Sequence, residues 1–232
     1  MAGASSGAED VFLRSSLTSS PLVRLLGRWT PLEGEVAGPD VAERLSLWVS
    51  AFDAIGLQAA QQSIRTVQAA LPGKRSEPRP AGADALAAEL QRVRTTLARA
   101  VAQDLPDAAE AEAGYAPYQQ RHLELQRRMA LAIAPLRDHV RHTLSRVSPG
   151  LRQLAALDAM LEQVVAPREQ QLLQTVPALL QQRYEQRRSE DGDWQESFGK
   201  DWRELLLAEV DLRLEPVAGL IEALGNEFRN RQ

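Results

Sequence analysis

The chain has 232 residues, 44% hydrophobic and 25% charged, with a net charge of -4, so it can bury one large core or two small ones. It contains no cysteine, which excludes disulfides, thiolate metal sites and cysteine nucleophiles. Aromatic residues are 5% and β-branched residues are sparse beside Ala, Leu, Gln, Glu and Arg, a balance that favours helix over strand.

Residues 1–18 are small, polar and weakly patterned, and are expected to be disordered. They lack the basic-then-apolar layout of a signal peptide, and no run in the chain approaches the ~20 apolar residues of a membrane span. A cytoplasmic chain is expected. Ser20-Pro21 then opens a short helix, with Ser at the cap and Pro at the first helical position. Leu22, Leu25, Leu26 and Trp29 form its apolar stripe. A second helix begins near Pro39-Asp40 and continues to about Leu71. Val41, Leu45, Trp48, Phe52 and Ile55 share one face, and Trp48 and Phe52 are expected to anchor it to the hairpin described below. Pro72 to Gly82 holds three Pro and two Gly in eleven residues, which reads as an exposed, flexible linker. A third helix follows over about Asp84–Gln103, with Leu86, Leu90, Val93, Leu97 and Val101 inward. An acidic loop follows over 104–116.

The segment Tyr118–Arg188 has the longest sustained periodicity. Leu125, Met129, Ile133, Leu136, Val140, Leu144 and Val147 are spaced by three or four residues, which is helix periodicity over about six turns. Ser148-Pro149-Gly150 marks a turn. A second run follows with Leu154, Leu161, Val165, Leu172, Val176 and Leu179 as its stripe. Two such helices joined by a short turn make an antiparallel hairpin. Pro135, Pro167 and Pro177 sit inside these patterns, and each costs ~3 kcal/mol in an ideal helix interior. The helices therefore kink there, or break into shorter pieces. Ser189–Asp193 is a polar break. The last helix runs from about Trp194 to Arg229, with Phe198, Trp202, Leu205, Leu212, Leu220, Leu224 and Phe228 inward and a kink at Pro216. No segment alternates with period two and no repeat recurs. The expected fold is all-α, an elongated bundle of five or six helices, several of them long and Pro-kinked, built around the hairpin. Residues 19–71 supply its N-terminal helices and 83–232 its main body, together one domain across the 72–82 linker.

Charge is unevenly spread. Residues 117–188 carry six acids and eleven bases, and residues 189–232 carry eleven acids and five bases. The simplest reading is that the basic hairpin and the acidic last helix are complementary faces of one fold. The alternative is a nucleic-acid surface on Arg127, Arg128, Arg137, Arg141, Arg146 and Arg152. Against it, no Lys/Arg run exceeds two residues and no aromatics are interleaved.

Four stretches resemble an uncharacterised proteobacterial family, a domain of unknown function. They are SSPLVRLLGRW at 19–29, VAERLSLWVSAFDAIGL at 41–57, the long pattern from YAPYQQRHLELQ through SPGLRQLAALDAMLEQ to VPALLQQRYEQ, and LLLAEVDLRLEPVAGLIEAL at 205–224. The family has no established activity, so the resemblance transfers no catalytic residue. It implies an accessory role beside an envelope complex, of the flagellar-motor-stator or outer-membrane-protein-A type.

Among candidate chemical groups, His139 and His142 are three apart and can project from one helix face beside Asp138. They could supply half of a zinc or iron site. Glu-x-x-His occurs nowhere in the chain, so surface histidines and no cofactor are expected. The carboxylates Asp193, Asp201, Glu204, Glu209, Asp211 and Glu215 read as ion-pair partners for the Arg-rich hairpin, with Asp211 and Arg213 a possible pair of their own. There is no phosphate loop, nucleophile elbow or dinucleotide fingerprint. The sequence therefore points to a non-enzymatic helical interaction protein, with a protein partner or a second copy meeting it through the hairpin. The face proposed for this contact comprises Leu172, Val176 and Leu179 with Arg137 and Arg141. A nucleic-acid-associated protein and a metal-binding bundle are the alternatives.

Overall fold

The computed structural model describes residues 20–29, 81–107, 114–190 and 192–230, with the isolated residues 58, 62 and 112. The expectations for residues 1–18, for the helix carrying Trp48 and Phe52, and for the 72–80 part of the linker lie outside these residues. Among the described residues there are six helices and no strands. They are α1 (Pro21–Trp29), α2 (Ala81–Gln103), α3 (Ala116–Ser145), α4 (Pro149–Leu173), α5 (Val176–Ser189) and α6 (Trp194–Arg229). Ala81 and Gly82, placed in the linker by sequence, are already the first turn of α2.

The all-α expectation holds, and α3 and α4 pair through a short turn as a hairpin. The turn falls at Arg146–Ser148, while Pro149 and Gly150 begin the next helix. Ser148 caps that helix by accepting a hydrogen bond from the Leu151 amide at 3.2 Å, and Pro149 follows where its missing N–H is harmless. Ser20 occupies the equivalent place before α1, but its hydroxyl is buried without a hydrogen-bond partner. Asp193 caps α6 by accepting from the Glu196 amide at 3.2 Å. Gly192 precedes it at φ 123°, in the left-handed region that a side chain would strain.

The prolines behave in two ways. Pro135, Pro167 and Pro216 are carried inside α3, α4 and α6. Pro177 instead follows a two-residue break and sits in the first turn of α5, so the second run of the hairpin is two helices. Tyr115 ties that break to the start of α3 by donating to the Pro177 carbonyl at 2.7 Å.

The last helix packs against all five of the others. Its middle shows why: Leu205, Leu206, Ala208, Glu209 and Val210 are all buried, so it is enclosed on several sides rather than along one stripe. An aromatic knot anchors its first turns. Tyr118 of α3 meets Phe198 edge-on at 4.8 Å, and Tyr184 of α5 meets Phe198 at 5.2 Å and Trp194 at 5.3 Å. The expected stripes of α2 and α3 are the buried ones: Leu86, Leu97 and Val101 on α2, and Leu125 through Leu144 on α3.

The stripe of α4 turns the other way. Leu161, Val165 and Leu172, expected inside, are 43%, 50% and 54% exposed. The buried residues of α4 are Leu151, Ala155, Met160 and Leu173. This helix has apolar groups on two faces, and periodicity alone does not choose between them. The choice is made by Asp158 and Glu162, which share the face of Leu151 and Ala155 and pair with arginines of α3. Turning α4 to bury Leu161 would pull both carboxylates from their partners.

Candidate functional site

Three polar clusters and one groove carry the chemistry of the described residues. The most enclosed cluster joins α3 and α6. Glu209 and His122 are both fully buried, with Glu209 Oε2 3.4 Å from His122 Nε2. Gln126 donates to both carboxylate oxygens at 3.0 and 3.2 Å. Arg213, one turn on, donates to Oε1 through Nε at 2.9 Å and a terminal nitrogen at 2.8 Å. Burial alone would raise the Glu209 carboxyl, but His122 and Arg213 outweigh it and hold the group below its ordinary range. Neither ring nitrogen of His122 has a hydrogen-bond partner.

The second cluster lies within the hairpin. Arg137 clasps Asp158 with two nitrogens at 2.6 and 2.9 Å. Arg141 reaches the same carboxylate at 2.7 Å and Glu162 at 2.7 Å. Burial pushes Asp158 up, and the hydrogen bonds from both arginines overcome this and bring it below its ordinary value. In the third cluster, Arg183 and Arg187 of α5 converge on Asp201 of α6 at 2.7 and 2.9 Å. The Arg183 guanidinium also stands 5.7 Å from the Trp29 ring centre, joining α1 to the cluster.

A groove of 450 Å³ opens between α3, α4 and α6. Leu123, Ala130, Ala134, Ala166, Leu173 and Leu212 supply apolar lining, and Arg127 and Glu169 are among its charged residues. Gln126 and Arg213 line it too, so the groove reaches the donors that hold Glu209. The exposed residues Leu157, Leu161, Val165 and Leu172 recur at steps of four, four and seven along α4, forming an apolar ridge on the same helix that lines one side of the groove.

The interaction-face residues read from sequence are dispersed. Leu172 is on the ridge, Leu179 is partly buried, and Val176 is 2% exposed and belongs to the core. Arg137 and Arg141 have only 15% and 12% of their side chains exposed and are engaged by Asp158 and Glu162. The wider arginine face is also largely occupied, since Arg128 pairs with Asp104 and Glu124 and Arg152 donates to the Ser145 carbonyl. His139 is exposed, with Nδ1 3.3 Å from Glu89, and His142 is exposed beside it. Among the described residues no group of three or more His, Asp or Glu could hold a metal ion.

Two pairings differ from the sequence reading. Asp211 pairs with Arg94 of α2 at 2.9 Å, and Arg213 with Glu209, so the two do not pair with each other. The expected pairing of the basic 117–188 segment with the acidic last helix is made by Arg183 and Arg187, which reach Asp201, while Arg137 and Arg141 are neutralised within the hairpin. Sequence reasoning gave no role to His122 and read Glu209 only as one of several ion-pair partners for the hairpin arginines. Both carry a positional signal. His122 falls in register with Tyr118, Leu125 and Met129, and Glu209 is enclosed between Leu205, Leu206 and Val210.

Among the described residues no helix is long and apolar enough to cross a membrane. No curated protein and no solved structure matches the chain. One family model matches residues 10–226, nearly the whole length. The chain therefore belongs to the family described as protein of unknown function, DUF3348.

Proposed function

We propose that this chain is a non-enzymatic helical interaction protein whose partner presents a helix to the groove between α3, α4 and α6. The observation that carries the reading is the groove itself, lined by Leu123, Ala130, Ala134, Ala166, Leu173 and Leu212 together with five charged side chains. A helix laid into such a groove is a common mode of recognition, with apolar anchors supplying affinity and rim charges fixing register. Glu209, Asp158 and Asp201 are each held by arginines of the same chain, which makes them fasteners of the fold. The accessory role beside an envelope complex, met from the cytoplasm, extends this reading on the family resemblance alone.

The test is site-specific photo-crosslinking in the native host. A photo-reactive residue at exposed Ala130, inside the groove, should capture one defined partner. The same residue at exposed Arg99 on α2 should capture none. Equal capture at both positions, or none at Ala130, sinks the reading.

A further inference from the structure

We draw no further inference here: the strongest candidate, the exposed apolar ridge of Leu157, Leu161, Val165 and Leu172 along α4, carries nothing because nothing in the structure shows what covers it.

Discussion

Glu209 of α6 and His122 of α3 face each other at 3.4 Å with no part of either side chain exposed. A carboxylate taken fully out of water is expensive unless other groups replace its solvation. Gln126 and Arg213 do so, and Arg213 keeps 21% of its own side chain at the surface. The cluster joins the first half of the hairpin to the last helix at the most enclosed point of the core.

Truncating the carboxylate should therefore be severe. Glu209→Ala leaves Arg213 and Gln126 without their shared acceptor and His122 without its neighbouring charge, and should cost about 3–5 kcal/mol of folding stability. Urea denaturation followed by helix signal would measure it. A loss below about 1 kcal/mol, ordinary for a random substitution, would show that the cluster does not hold the two helices together.

Acidification should act through the same groups. Glu209 and Asp158 are both held below their ordinary values of 4.5 and 3.8, so the unfolded chain takes up their protons first as pH falls. Their stabilisation is complete above the ordinary values and is lost as pH drops through the lowered ones. The midpoint of urea unfolding should be level near neutrality and decline below about pH 4.5. Asp158→Asn should flatten that decline and lower the plateau. An acid limb identical to the wild type would contradict the assignment.

The prolines separate two local environments. Pro135 lies inside α3 on an exposed position, where it removes a backbone donor. Pro135→Ala should raise stability by about 1 kcal/mol, part of the interior penalty of ~3 kcal/mol. Pro177 occupies the first turn of α5, where the donor is not needed. Pro177→Ala should bring no gain. Thermal melts of the two variants decide this, and a larger gain at Pro177 would mean that the α4–α5 break is imposed by that residue.

The outward ridge of α4 and the inward start of α5 can be told apart by placing a charge on each. Leu172→Glu lands on the exposed ridge and should change stability by no more than about 0.5 kcal/mol. Val176→Glu, four residues on, buries an unpaired carboxylate and should unfold the chain or cost several kcal/mol. Circular dichroism melts distinguish the two, and equal damage from both would place Leu172 in the core.

The helices were legible because periodicity is a property of the local chain. Leu125 to Leu144 on α3 and Leu86 to Val101 on α2 repeat every three or four residues, and any globular packing must bury that face. The turn before α4 was legible because Ser148, Pro149 and Gly150 together interrupt a periodic run. The groove was not, since it forms only where the hairpin meets the last helix and no single segment carries its lining.

What the sequence determined by itself is the all-α class, most of the helix limits and the inward faces of α2 and α3, since these follow from spacing within one segment. Tertiary structure alone decided which face of α4 turns inward, which acid each arginine holds, and that the last helix is the one the others surround. Those outcomes depend on competition between partners on different helices. Asp158 and Glu162 outbid Leu161 for the inside of α4 because a carboxylate clasped by two arginines loses more on exposure than a leucine gains on burial.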